Sequence, residues 1–237
     1  MAPGIPDTIA AMCGRYSLHA HPEVIALAFK LGLMPEIQAH YNIAPSARIL
    51  IVRGDQEQVR AAEFYRWGLI PGWAKDPAIG DKLANARGET VAEKPSFRNA
   101  FKRSRCLIPA SGFYEWQDVK GRKQPYYIYP KDQGLFAIAG ITEQWQGADG
   151  PVHTCALITT EPNELMKNIH DRMPVILKPE DYSTWLDPGN QATTALRQLL
   201  KPYPAAAMAA HRVSPRVNTA KHDDPALIEP LERLTEC

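Results

Sequence analysis

Proline limits this chain more than any other residue: 21 of its 237 positions are prolines, close to twice the usual share of about 5%. Each fixes its own φ, removes a backbone donor and pushes the preceding residue toward extended geometry. Long uninterrupted helices, and an all-helical bundle with them, are therefore excluded. With 45% hydrophobic and 22% charged residues the chain can bury a sizeable core, which rules out wholesale disorder. The expected product is many short elements joined by turns.

Residues 48–53, 63–70, 105–116, 125–129, 135–145, 153–159 and 173–177 are rich in β-formers and read as strands. Helical patterns cover 22–33, with Val24, Ile25, Leu27, Ala28 and Leu31 on one side, and also 96–102, 162–169, 179–186 and 192–200. Residues 187–191 and 202–210 read as surface loops. Mixed order without strict βαβ alternation implies an α+β fold with a curled, mostly antiparallel sheet flanked by short helices. No repeat, linker or internal boundary is evident. The organisation expected is a flexible leader over 1–12, absent or removed in the mature protein, and a single domain over 13–237.

The longest apolar run, 135–141, is far short of the ~20 residues that span a bilayer, and the first twelve residues lack the basic start and apolar stretch of a secretory signal. Four cysteines, Cys13, Cys106, Cys155 and Cys237, form no C-x-x-C pair. They point to a reducing cytoplasm and to neither a disulfide framework nor zinc. His19-x-His21 and His222-Asp223-Asp224 lack a third ligand at usable spacing. A net charge of +1 excludes a globally basic nucleic-acid coat. Locally, however, residues 82–105 carry Lys82, Arg87, Lys94, Arg98, Lys102, Arg103 and Arg105 against Glu89 and Glu93. Such a segment could present one basic face to phosphates.

Met12-Cys13-Gly14 looks like a translation start, because an initiator methionine is trimmed when a small residue follows. A chain beginning at Cys13 would carry an amine and a thiol on adjacent carbons. That pair condenses with an aldehyde to a Schiff base, which the thiol closes to a thiazolidine. An α-amine titrates near ~7.8 against ~10.4 for lysine, so its neutral fraction at pH 7 is roughly 300-fold larger. Within Gly112-Phe113-Tyr114-Glu115-Trp116-Gln117, alternation puts Phe113, Glu115 and Gln117 on one strand face and Tyr114 and Trp116 on the other. An apolar surrounding would raise the Glu115 pKa toward what a general acid needs. His170, between a helix and a strand, could shuttle a proton or stabilise a leaving oxygen. Asn85 beside Arg87 suits orienting a reactive group next to a phosphate. Trp67 and Trp73, on a Gly/Pro-kinked stretch, suit base stacking or wedging of a strand junction.

Taken in order, Cys13-Gly14-Arg15-Tyr16, Tyr41-Asn42-Ile43-Ala44-Pro45, Trp67-Gly68-Leu69-Ile70-Pro71, Asn85-Ala86-Arg87, Gly112 to Trp116, His170-Asp171-Arg172-Met173-Pro174 and Val213-Ser214 with Val217-Asn218 resemble the SOS-response-associated peptidase family. The blocks run collinearly from about residue 13 to 230. The resemblance implies a barrel-like sheet and a protein that senses abasic sites in single-stranded DNA, forming a covalent thiazolidine with the sugar aldehyde. It implies Cys13 as the crosslinking nucleophile, with Asn85, Glu115 and His170 completing the site. Arg15, Arg87 and Arg172 are implied to hold phosphates, with Pro45, Trp67, Trp73 and Thr159 also at the DNA. Lyase activity, crosslink reversal and removal of residues preceding the cysteine are implied too, with no cofactor or metal, no membrane and a monomeric, DNA-associated protein. Eleven residues precede Met12 here, a departure from the family pattern that makes Cys13 internal in this sequence.

Two other classes fit parts of the same sequence. One is a cysteine peptidase or N-terminal-nucleophile amidase. The other is a plain single-strand-binding module using the basic segment and the tryptophans.

Overall fold

The computed structural model describes residues 13–57 and 59–231; the expected leader over 1–12 lies outside them. Among the described residues thirteen strands form: β1 (Arg15–Leu18), β2 (His40–Ile43), β3 (Arg48–Gly54), β4 (Arg60–Trp67), β5 (Asn85–Arg87), β6 (Arg105–Ala110), β7 (Gly112–Val119), β8 (Arg122–Pro130), β9 (Phe136–Gly147), β10 (Gly150–Thr160), β11 (Met173–Pro174), β12 (Ile176–Leu177) and β13 (Met208–Arg212). The helices are short: α1 (Pro22–Phe29), α2 (Arg98–Arg103), α3 (Tyr182–Leu186) and α4 (Thr193–Arg197). One sheet runs β13-β8-β7-β1-β2. The other runs β10-β4-β3-β6-β9 and returns to β10 through a β9–β10 pairing, so these five strands close a barrel. Every pairing is antiparallel except those of β10 with β4 and β5. The expected curled, mostly antiparallel sheet with short helices is what forms, and closure removes the barrel's open edges.

The run expected as one strand over 105–116 is two. The chain leaves the barrel at Ala110 and enters the other sheet at Gly112, with the Ser111 N–H held by Ser17 O at 2.7 Å. Gly112 is required there, because a Cβ would come within 2.4 Å of the Tyr127 ring. One continuous core fills the barrel and the face of β1, β7 and β8 turned toward it, including Tyr16, Phe113 and Ile128. A smaller cluster of Tyr114, Tyr127, Val213, Val217 and Leu227 covers the opposite face.

Three local expectations fail for stated reasons. The helix expected over 22–33 stops at Phe29, because Lys30 takes a left-handed φ of 55°. Its buried residues are Ile25 and Phe29, one turn apart, while Leu27 is 82% exposed. The pattern over 162–169 yields only a 3₁₀ turn, Met166–Asn168. Residues 208–210, expected in a loop, belong to β13, which pairs with the edge of β8 from Met208↔Pro130 to Arg212↔Tyr126.

Candidate active site

β1 and β7 bring the ends of two distant segments together. They pair antiparallel with Arg15 opposite Tyr114, which sets Cys13, just before β1, against Glu115. The Cys13 backbone N–H donates to Glu115 Oε1 at 2.8 Å. Both residues are buried, at 3% and 2% exposure. The strand alternation holds for the apolar residues: Phe113 packs in the main core while Tyr114 and Trp116 pack in the second cluster. Cys13 has a φ of 50°, a left-handed conformation uncommon outside glycine.

His170 enters from the loop between β10 and β11. Its Nδ1 accepts the Arg172 N–H at 3.1 Å and lies 3.9 Å from Glu115 Oε2 and 3.1 Å from Asp171 Oδ1. A neutral ring thus has a donor to accept from, and a protonated ring has two carboxylates to face. Gln117, two residues beyond Glu115, holds this loop by donating from Nε2 to Asn168 O at 2.6 Å, and Tyr126 Oη donates to Gln117 Oε1 at 3.1 Å. Asn85 on β5 donates from Nδ2 to Cys13 O at 3.5 Å. The four residues expected to make the reactive centre therefore meet.

Burial pushes the Glu115 carboxyl above its usual range, partly offset by His170 and by the hydrogen bonds from Cys13. A raised carboxyl pKa is the direction that favours a group able to hand on a proton. Burial also pushes the Cys13 thiol well up; the Glu115 charge and hydrogen bond add to this, and Arg172 opposes it.

The expected DNA contacts separate into several environments. Arg87 is exposed at the end of β5. Trp73 is 60% exposed. Pro45 is half-buried in the turn after β2. Trp67 is fully buried, donates its indole N–H to Ala84 O at 2.9 Å and stands edge-on to Tyr16. Its rings are closed to a base, so the expected stacking role does not fit it. Arg15 donates to Asn42 Oδ1, Val217 O and Asn218 O at 2.9, 2.7 and 3.0 Å, bracing β1 against the C-terminal turns. Arg172 forks onto both Glu89 oxygens, and its Nη2 also donates to Thr159 O at 2.9 Å and to the buried Thr159 Oγ1 at 3.2 Å. Two of the three guanidinium groups expected to grip phosphate, those of Arg15 and Arg172, are thus engaged by protein oxygens.

Arg105 leaves the basic segment altogether. It is 4% exposed and donates to the carbonyls of Phe101, Lys102, Trp185, Asp187 and Asn190. Lys82, Lys94, Arg98, Lys102 and Arg103 remain exposed. Glu89, read in the sequence only as an acid diluting a basic run, is the side chain that reasoning from sequence missed. Nothing local marks its partner, 83 residues away.

Comparison with known proteins gives a consistent answer. The profile of the family described as SOS response associated peptidase (SRAP) matches residues 12–220. The chain is 48% identical to the "Abasic site processing protein YoqW" of Bacillus subtilis (strain 168), over 92% of this chain and 99% of that one. It is 35% identical to the "Abasic site processing protein HMCES" of Gallus gallus, over 81% and 66%. A crystal structure of a protein from Bacteroides thetaiotaomicron superposes with a TM-score of 0.81 at 29% identity, covering 92% of this chain and all of that one.

Proposed function

Because the chain belongs to the SOS response associated peptidase (SRAP) family, we propose that it processes abasic sites in single-stranded DNA by bonding the sugar aldehyde to Cys13 as a thiazolidine. The observation that carries this reading is the 2.8 Å contact from the Cys13 nitrogen to Glu115 Oε1. Initiation at Met12 with loss of that methionine, or cleavage of the Met12–Cys13 bond, turns this nitrogen from an amide into an amine. A carboxylate already in hydrogen-bond contact is then placed to take its proton.

The steps balance on the residues present. Opening of the abasic sugar hemiacetal breaks its ring C–O bond: the ring oxygen takes a proton from His170, the anomeric hydroxyl gives up its own to solvent, and an aldehyde is left. The Cys13 amine adds to the aldehyde carbon, and the resulting hydroxyl departs as water with a proton from the Glu115 carboxyl. Sγ then adds to the imine carbon while its proton passes to nitrogen, closing the five-membered ring. Reversal runs the same steps backward. In the open Schiff base, loss of a proton from the adjacent sugar carbon can expel the 3′ phosphate, which is the lyase reaction. Arg87 and the exposed basic side chains of 82–103 supply the backbone grip, and Trp73 a stacking surface.

Intact mass after mixing Cys13-initiated protein with an abasic oligonucleotide tests the reading. The expected product has the summed mass less one water and survives denaturation. A covalent product with peptide amides and none with abasic DNA would establish the hydrolase class instead.

A further inference from the structure

Trp73 stands at the tip of a turn whose two ends are tied to one hairpin. The turn is closed by the Ala74 N–H, which donates to Pro71 O at 2.9 Å. Ile70, Pro71 and Ala74 are buried, and between them Gly72 and Trp73 are exposed. On the entering side the Ile70 N–H donates to Oγ1 of the buried Thr154 at 3.0 Å, and that hydroxyl donates onward to Glu143 O at 3.2 Å. On the leaving side Ala74 O accepts the indole N–H of Trp145 at 2.7 Å. Thr154 is on β10 and Trp145 on β9, where the two strands pair with Glu143 opposite Thr154 and Trp145 opposite Val152.

The Trp145 ring is placed by the same hairpin. Side chains two residues apart on a strand share a face, and a Cβ at Gly147 would stand 2.8 Å from Trp145 Cζ3. The ring therefore lies across this glycine, where a methyl group would displace it. A tryptophan has one donor, and this half-buried one gives it to a carbonyl 71 residues away in sequence, next to Trp73. Further along, β10 pairs Leu157 with Asn85 and Thr159 with Arg87. The strand that anchors the turn is thus also the one that places the reactive amide and the exposed guanidinium, so the two ties set where Trp73 stands relative to both.

We propose that Trp145 is a positioning residue for DNA binding: its indole N–H pins Ala74, so that Trp73 is presented as a fixed stacking surface and the ordering of the turn is not left to the moment of binding. This role rests on Trp73 meeting single-stranded DNA, as in the proposed function. It does not depend on the chemistry at Cys13.

The test is the dissociation constant for a fluorescently labelled, undamaged single-stranded oligonucleotide, measured by anisotropy for the parent, Trp73→Ala, Trp145→Phe, Gly147→Ala and the double variant Trp73→Ala/Trp145→Phe. Trp145→Phe keeps an aromatic ring and loses the donor, whereas Gly147→Ala keeps the tryptophan and moves its ring. Melting curves check that each is folded, and Gly147→Ala carries the same comparison if the phenylalanine variant is not. Each of these two should weaken binding by about threefold to tenfold, the range of one net hydrogen bond. Once Trp73 is alanine, Trp145→Phe should add less than about twofold. A folded Trp145→Phe that binds like the parent while Trp73→Ala binds weakly overturns the proposal and leaves the stacking role of Trp73 in place. Losses that multiply in the double variant also overturn it, since Trp145 would then act without Trp73. Parental binding by Trp73→Ala removes the stacking role itself, and the positioning role with it.

Discussion

The backbone nitrogen of Cys13 and Oε1 of Glu115 lie 2.8 Å apart although 102 residues separate them in sequence. The strand register that makes this contact, Arg15 opposite Tyr114, is fixed by side chains packed on both faces of β7. A slip of one residue would turn Glu115 onto the wrong face. The carboxyl is thus held at the nitrogen by the fold rather than by a mobile loop. In Glu115→Gln the crosslinking rate should fall at least ~10-fold, with affinity for undamaged DNA nearly unchanged. Single-turnover crosslinking beside a binding titration measures both, and an unchanged rate would remove Glu115 from the chemistry.

The same carboxyl should be a burden on the fold. Its pKa is raised in the folded protein, so folding favours the protonated form. The associated stability is present below the unfolded value of 4.5 and is lost as the pH rises through the folded value. Glu115→Gln should therefore melt above the parent at pH 8, with the gap closing as the pH is lowered to about 4.5. A variant melting lower at pH 8 would mean that the charged carboxylate is a net support.

His170 has a partner for Nδ1 in either protonation state, which suits a group that gives a proton in ring opening and recovers it in reversal. His170→Ala should slow crosslink formation and reversal by similar factors, since both pass through the same transition states. Time courses in the two directions check this. A change in melting temperature alone would leave His170 with a structural role.

The two tryptophans should part company. Trp67→Ala removes a fully buried ring and should cost ~3–5 kcal/mol of stability. Trp73→Ala should leave the melting temperature alone and weaken single-strand binding several-fold, within the ~1–3 kcal/mol of a base–aromatic stack. Denaturant melts paired with binding titrations separate the two, and equal effects on DNA would refute the distinction.

Arg105 tests how the basic segment divides. Burial lowers its pKa to about 10, and its five carbonyl acceptors would be orphaned together in Arg105→Ala. A loss of ~3 kcal/mol or more is expected, whereas Arg87→Ala should spare stability and reduce the log-log salt slope by roughly 0.7. An Arg105→Ala protein of parental stability with weakened DNA binding would reverse these roles.

What the sequence disclosed was carried by local pattern. Alternation along 113–117 was legible because both faces of β7 are buried, so each side chain had a definite side. Cys13 and the carboxyl, amide and imidazole around it lie in short blocks of unusual residue types, and those blocks were legible as well. The face of α1 was not, because a left-handed Lys30 cut the helix before its period could show. The environments of Trp67, Arg15 and Arg172 were hidden for a different reason. Each depends on partners from other elements, Ala84, Val217 and Glu89, and a guanidinium bound to protein is spelled no differently from one left open to phosphate.

The most direct measurement is intact mass under denaturing conditions for two proteins incubated with abasic single-stranded DNA: one beginning at Cys13, the other retaining residues 1–12 in a form that cannot be cleaved. The first should convert to an adduct that Cys13→Ala abolishes, and the second should form none, because its Cys13 nitrogen is an amide. A leader-retaining protein that crosslinks at the full rate would contradict the account.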